Sequence, residues 1–344
     1  IPDAEADYIM PLSGGRDSRH ILLELLRQGH RPRLCVTAEH DPYDWGGDVP
    51  YAARLASELG LEHAAVRPGP PVAAEQRKNR LTSYTSTMHA WFLSVVDALS
   101  GQTNYTYEGL PGGTILERRF VTRRVRELSE AERWDELAAG MGKKLGGRPG
   151  YLSLLTCGMR EQLPAERGVG RSRAELERHL HADDPFMSFR ILNRTMRELT
   201  LTPNAMLSAV SAVYTPYMDP DFMAFGMSIP PEHIDRAFHD DLLAAAYPEV
   251  AHVPFRPLRR PRPSRRFVRG LNRELLRLVW RESDGSLVDR SALMRRSAVG
   301  VVRGDDWFTS GRRFSQLTYL IQLERITRRI DGASKPKTRL DGTE

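Results

Sequence analysis

Cysteine is nearly absent from this chain of 344 residues, and Cys35 and Cys157 are too few for a disulfide framework or a thiolate zinc site. That scarcity predicts a reducing, cytoplasmic setting. Lysine is scarce too, with five against 45 arginines. The bias looks like GC-rich coding, so the arginine count alone says little about partners. No apolar run reaches the roughly 18 residues that a membrane helix needs. The opening Ile1-Pro2-Asp3-Ala4-Glu5 has neither the basic nor the apolar region of a secretion signal, so neither a membrane span nor a leader is expected. Acids are missing from one stretch in particular. Seven arginines lie between Arg256 and Arg269, with four prolines from Pro254 to Pro263 and no Asp or Glu. These seven charges exceed the net charge of +6 for the whole chain. The excess is therefore local, which predicts contact with an anion and makes a nucleic-acid-coating protein unlikely as a reading.

What is present is ordinary globular composition, 40% hydrophobic and 27% charged, in a chain long enough for one large domain or two smaller ones. The first 110 residues alternate short apolar runs with helical periodicity, as in an α/β unit with a parallel sheet. Strands are predicted at Tyr8–Leu12, Leu34–Thr37, His63–Val66 and Asn104–Glu108. Between them, Ile21, Leu22, Leu25 and Leu26 form a helical stripe ending at Gly29. Ala52, Ala53, Leu55, Ala56 and Leu59 form a second, and Trp91, Phe92, Val95, Val96 and Leu99 a third. From about residue 120 the chain turns to charged helical stretches, such as Glu127 to Met141 and Arg173 to His181, with no clear strand. The run from Pro254 to Pro263 predicts a loop through residues 254–269, because proline removes the donors that a helix or sheet needs.

The sharpest local signal is Leu12-Ser13-Gly14-Gly15-Arg16-Asp17-Ser18, set between a predicted strand and a predicted helix. Two glycines allow a tight turn with N–H groups facing an anion, two serines add hydroxyl donors, and the following helix points its positive end at the same place. The pattern is not a Walker A loop, whose glycine spacing differs and whose lysine is missing here. Asp17 within a phosphate loop would repel phosphate unless a cation lay between them, which points to Mg²⁺. A plain Ser/Gly turn with Asp17 and Ser18 as a helix cap is the alternative.

S-G-G-x-D-S after a first strand resembles the pyrophosphate loop of the ATP pyrophosphatases, the adenine-nucleotide α-hydrolases. The helix Arg19–Leu26, the strand Cys35-Val36-Thr37 and the stretch Ala52–His63 look like the opening units of its asparagine-synthetase-like branch. Tyr214-Thr215-Pro216-Tyr217-Met218-Asp219-Pro220-Asp221 and Phe225–Pro230 resemble the distal motifs of that branch, so the likeness spans residues 7 to 260. The resemblance implies a doubly wound, mostly parallel sheet in residues 1–120 that binds nucleotide, and a mostly helical portion in 121–344 completing the synthetase domain. It also implies ATP- and Mg²⁺-dependent amide formation through an acyl-adenylate. Leu12, Ser13, Gly14, Gly15 and Ser18 would hold pyrophosphate and Asp17 the metal. The backbone near Val36 and Thr37 would frame adenine, and Glu108 with Gly109 would face the same cleft.

The chain departs from that pattern in two places. Leu110, Pro111 and Gly112 stand where the family's loop resembles G-E-G-A-D-E, so a second metal carboxylate is missing there. No lysine occurs between Lys144 and Lys335, leaving Arg256, Arg259 or Arg260 to neutralise phosphate and to fold over it as a lid once nucleotide binds. Asp41, Asp44 and Asp48 either supply the missing carboxylate or form a solvated turn. Asn193, Arg194 and Arg197 either face the nucleotide or line a helix surface. His20 reads as packing or surface, and Asp219 as a turn residue. Neither Ile1 nor Cys35 suits a glutaminase nucleophile, which favours small-molecule or peptide carboxylate and amine substrates, with a separate partner protein or upstream domain as a further possibility. A catalytically altered nucleotide-binding scaffold is the second reading, and an RNA-modifying enzyme the third.

Overall fold

The structure, a computed structural model, describes residues 7–39, 47–86, 88–118, 120–146, 152–235, 237–257, 263–310 and 313–334. The chain is mixed α/β and divides into two compact units, Ile1–Leu145 with Ala165–Ser264, and Gly146–Pro164 with Arg265–Glu344.

The first unit opens as β1 (Ile9–Pro11), α1 (Asp17–Arg27), β2 (Leu34–Ala38), α2 (Val49–Glu58), β3 (His63–Val66), α3 (Pro71–Leu81), α4 (Leu93–Leu99), β4 (Tyr105–Tyr107) and α5 (Gly112–Leu116). β1, β2 and β3 form a parallel sheet in that order, with Met10 opposite Cys35 and Val36 opposite Ala64. A second parallel pair joins β4 to β5 (Ala212–Tyr214), with Thr106 opposite Val213. No strand is expected beyond residue 120. β5 corrects that reading, and three residues paired to a distant strand leave too short a period-two pattern to see in the sequence.

β4 runs beside β1 without a backbone ladder, and threonine hydroxyls join them instead. Thr106 Oγ1 donates to the Ile9 carbonyl at 2.8 Å, and the Ile9 N–H donates to Thr103 Oγ1 at 3.4 Å. The two parallel sheets thus meet where β4 lies against β1. Side-chain alternation divides this layer. Met10 and Cys35 pack with Leu22, Leu25, Leu55 and Tyr107 on one face. Ile9 and Val36 pack with Val95, Val96, Leu99, Met206 and Leu207 on the other. Each fully buried aliphatic side chain contributes about 1.5–3 kcal/mol, so helices are needed over both faces.

The single charged stretch expected from Glu127 to Met141 is broken in two, Arg123–Glu130 and Trp134–Gly146, around Glu132 at a positive φ of 51°. The loop expected through residue 269 ends earlier, because a helix runs from Arg265 to Glu282. Its last proline is Pro263, and Val268, Leu271, Leu275 and Val279 then recur at helical spacing and are buried.

The second unit is helical, with Arg265–Glu282, Arg290–Arg303 and Arg313–Ser334 as its long helices. Its loops meet at an antiparallel bridge between Leu155 and Val288. Buried Glu324 accepts hydrogen bonds from the N–H groups of Leu287 and Val288 at 2.8 and 3.0 Å. No helix among the described residues is long and apolar enough to cross a membrane.

Candidate functional site

The loop Leu12–Ser18 leaves β1 at its C-terminal end and runs into α1. Leu12 is buried and closes the end of the sheet, its N–H donating to the Val36 carbonyl at 2.9 Å. Its own carbonyl accepts from Thr37 Oγ1 at 2.7 Å. Val36 and Thr37 are thus buried sheet residues that position the loop from beneath.

Within the loop, the Ser13 N–H donates to Ser18 Oγ at 2.9 Å and the Gly15 N–H to Ser13 Oγ at 3.2 Å, while the two serine hydroxyls lie 2.9 Å apart. The Gly14 N–H donates to Asp48 Oδ1 at 2.9 Å, so a carboxylate oxygen occupies the position that the turn offers to an anion. Asp48 is therefore a loop partner and not a solvated turn residue. Asp41 and Asp44 lie outside the described residues. Gly14 is tightly enclosed, and a Cβ there would meet Tyr51 Cβ at 2.9 Å and Arg256 Cβ at 3.0 Å.

The segment Val253–Arg256 crosses this loop and is fastened at several points. Arg19 donates to the carbonyls of Val253 and Pro254 at 2.7 and 2.9 Å. Phe255 lies under the guanidinium groups of Arg16 and Arg19, at 4.6 and 4.0 Å from its ring centre. The Arg256 N–H donates to the Gly14 carbonyl at 2.8 Å. Arg256 Nε lies 3.3 Å from Asp48 Oδ1, an ion pair without hydrogen-bond alignment. The expectation that this arginine waits free for nucleotide is thus corrected, since backbone and stacking contacts already seat it on the loop. Arg259 and Arg260 lie outside the described residues.

β4 delivers a second loop to the same edge. The Glu108 N–H continues the β5 pairing by donating to the Tyr214 carbonyl at 2.8 Å, and its carboxyl Oε1 accepts from the Leu110 N–H at 3.1 Å. Burial pushes the Glu108 carboxyl up to about 7. The Leu110 N–H opposes that rise and the Asp17 charge adds to it. Gly109 closes on α1, where a Cβ would stand 3.0 Å from both Asp17 Cβ and the Ser18 nitrogen. Glu108, Gly109 and Asp17 thus share one cleft edge. Gly112 is closer still, its added Cβ falling 2.8 Å from the Tyr217 ring and 2.9 Å from Asp17 Cγ.

Two residues that sequence reasoning missed complete the surroundings of Asp17. Glu117, just past α5, and His239, in the helix Phe238–Ala246, each offer one ligand atom within 4.8 Å of one another and of Asp17. The carboxylate absent at Leu110–Gly112 therefore has a counterpart nine residues beyond Glu108, on the far side of a helical turn that spacing alone could not reveal. His239 Nδ1 is buried without a hydrogen-bond partner, 3.8 Å from an oxygen of each carboxylate. Two carboxylates beside an orphaned ring nitrogen are a donor set that fits a divalent cation.

His20 is a site residue as well. Tyr217 Oη lies 2.9 Å and His239 Nε2 3.3 Å from its Nδ1. Burial, and then neighbouring His239, pulls its imidazole down to about 4. His20, Glu24, Tyr107, Tyr214, Tyr217 and Phe222 line a cavity of about 660 Å³ next to this group. Asp219 caps the following helix, accepting from the N–H groups of Asp221 and Phe222, which is the turn role expected of it. Arg194 stacks on Phe120 at 4.4 Å and Asn193 contacts His179 at 3.0 Å, so neither is committed to the loop.

No family model matches the chain, and no curated protein does.

Proposed function

We propose that this chain is an ATP-dependent carbon–nitrogen ligase that activates a carboxylate as an acyl-adenylate and transfers it to an amine. One observation carries the reading. The serine–glycine loop with Asp17 and the Glu108 loop meet at the C-terminal ends of neighbouring β1 and β4, and open α/β sheets bind ligands beyond the C-terminal ends of their strands. The resemblance of Leu12–Ser18 to a pyrophosphate loop supplies the chemistry, and a doubly wound sheet is part of the same proposal.

In this reading a substrate carboxylate oxygen attacks the α-phosphorus of ATP and the α–β bridging P–O bond breaks. The amine nitrogen then attacks the acyl carbon, AMP leaves, and the nitrogen gives up a proton. Ser13, Gly14, Gly15 and Ser18 hold the leaving pyrophosphate, for which the Gly14 N–H exchanges Asp48 for a phosphate oxygen. Asp17 and Glu117 would hold Mg²⁺, which supplies charge neutralisation for the leaving group. Glu108, poised near neutral pH, suits the acceptance of the amine proton. Arg256 supplies positive charge in place of the absent lysine, and the tyrosine-lined cavity takes an organic substrate.

Pyrophosphate release from ATP, measured with and without Mg²⁺ across a panel of carboxylates, tests this. Release that depends on both carboxylate and Mg²⁺ and disappears in Asp17→Asn is expected, and no nucleotide binding at all would overturn it. The closed loop, with Asp48 on Gly14, favours a second reading, a nucleotide-binding scaffold without turnover. Tight ATP binding with no release under any condition would select that one.

A further inference from the structure

Three separate elements converge on one buried point, the first residue of α1, the end of α5 and the start of the helix Phe238–Ala246. His239 is 0% exposed there, and His20 and Tyr217 stand behind it within hydrogen-bond distance of one another. Tyr217 Oη lies 2.9 Å from His20 Nδ1. His239 Nε2 lies 3.3 Å from the same nitrogen, so the far side of the His239 ring is engaged by His20. The other nitrogen of His239, Nδ1, is buried with no hydrogen-bond partner and lies 3.8 Å from an oxygen of both Asp17 and Glu117. A buried, partnerless ring nitrogen beside two carboxylates is costly unless a cation stands between them. A proton on Nδ1 would not bridge the gap, since 3.8 Å is beyond hydrogen-bond reach. A metal ion would, because two ligands on one ion at about 2.1–2.3 Å stand roughly 3.0–4.4 Å apart, depending on their angle.

We propose that Asp17, Glu117 and His239 form a mixed carboxylate–imidazole site for a first-row transition-metal dication, with the Tyr217–His20 relay orienting the imidazole. Imidazole nitrogen favours such ions, whereas Mg²⁺ prefers an all-oxygen shell and keeps several waters. The donor set thus departs from a purely magnesium-dependent nucleotide site. Metal-binding histidines commonly have their far nitrogen held by a hydrogen-bond partner, as His20 holds that of His239. The proposal concerns the same cleft as the ligase reading but stands without it, because metal binding needs neither ATP nor turnover.

The test uses the full chain, stripped with chelator and titrated with Mn²⁺ while electron paramagnetic resonance reads the free ion. Saturable binding at one site per chain is expected, weakened at least about tenfold in both His239→Gln and Glu117→Gln. Mg²⁺ should compete poorly for the wild-type site and markedly better for the His239→Gln site. Because His239 is buried and its variants are open to misfolding, pulsed resonance on the wild-type Mn²⁺ complex gives a mutation-free readout, and it should show one coordinated nitrogen. Absence of that nitrogen coupling, or Mn²⁺ affinity unchanged in folded His239→Gln, overturns the proposal. Loss of pyrophosphate release with the nitrogen-coordinated site intact would instead count against the ligase reading alone.

Discussion

At the scale of single residues, the proposed ligase reading gives Ser13 and Asp17 a ligand to hold and little part in the core. Both are only partly buried at the mouth of the loop, and Ser13 spends its hydroxyl on Ser18 and Gly15. Removing a contact to a charged group costs about 1.5–3 kcal/mol. Ser13→Ala and Asp17→Asn should therefore weaken ATP binding by about tenfold to a hundredfold in calorimetric titration, with the unfolding midpoint little changed. Glu108 behaves differently because it is buried. Its carboxyl rises from an ordinary value of 4.5 to about 7 in the folded chain, so the folded state binds the proton more tightly than the unfolded state does. Stability should then fall as pH rises from about 4.5 to 7 and level off above, by on the order of 3 kcal/mol at most. Glu108→Gln keeps an oxygen for the Leu110 N–H and carries no charge. Urea unfolding at pH 5 and pH 8 should show the wild type losing stability across that interval and the variant losing much less. His20 illustrates what single-residue reading misses, for nothing at position 20 signals that Tyr217 and His239 will arrive at its ring from about 200 residues away.

At the scale of elements, the join between β1 and β4 decides whether the two loops share an edge. Thr106 is buried and its hydroxyl makes the 2.8 Å bond to the Ile9 carbonyl that a backbone ladder would otherwise provide. Valine has the same shape without the donor, so Thr106→Val should cost about 1–3 kcal/mol in chemical unfolding. Thr106→Ser should recover most of that, and a neutral outcome for valine would show that packing alone holds the strands together. The first strands and helices were legible because period-two and helical stripes are local properties of about ten residues. The predicted His63–Val66 strand coincides with β3. β5 was not legible, because its three largely exposed residues are held by pairing to β4 and show no pattern of their own. The Pro/Arg-rich run reads in sequence only as a loop through residues 254–269. Stacking of Phe255 under Arg16 and Arg19, each worth about 0.5–2 kcal/mol, fixes Val253–Arg256 on the Leu12–Ser18 loop.

At the scale of the whole molecule, the loop, the acidic group and the cavity all belong to the unit built from Ile1–Leu145 and Ala165–Ser264. The other unit has its own buried anchor in Glu324, whose replacement by alanine leaves the N–H groups of Leu287 and Val288 without an acceptor. Glu324→Ala should cost about 2–5 kcal/mol in thermal unfolding of that unit. ATP affinity, which the proposed function places in the first unit, should be unchanged when titrated below the transition. By itself the sequence determined the α/β alternation of the first 110 residues, the turn chemistry of Leu12–Ser18 and the local concentration of arginine after Pro254, since each depends on neighbours in the chain. Only the tertiary structure decided that Asp17 has Glu117 and His239 beside it, that Asp48 and Arg256 close over Gly14, and that Glu108 loses its solvent. Those are contacts between segments far apart in sequence, and burial, which moves a carboxyl toward neutrality or leaves a ring nitrogen without a partner, is a property of what packs around a residue and not of the residue or its neighbours in the chain.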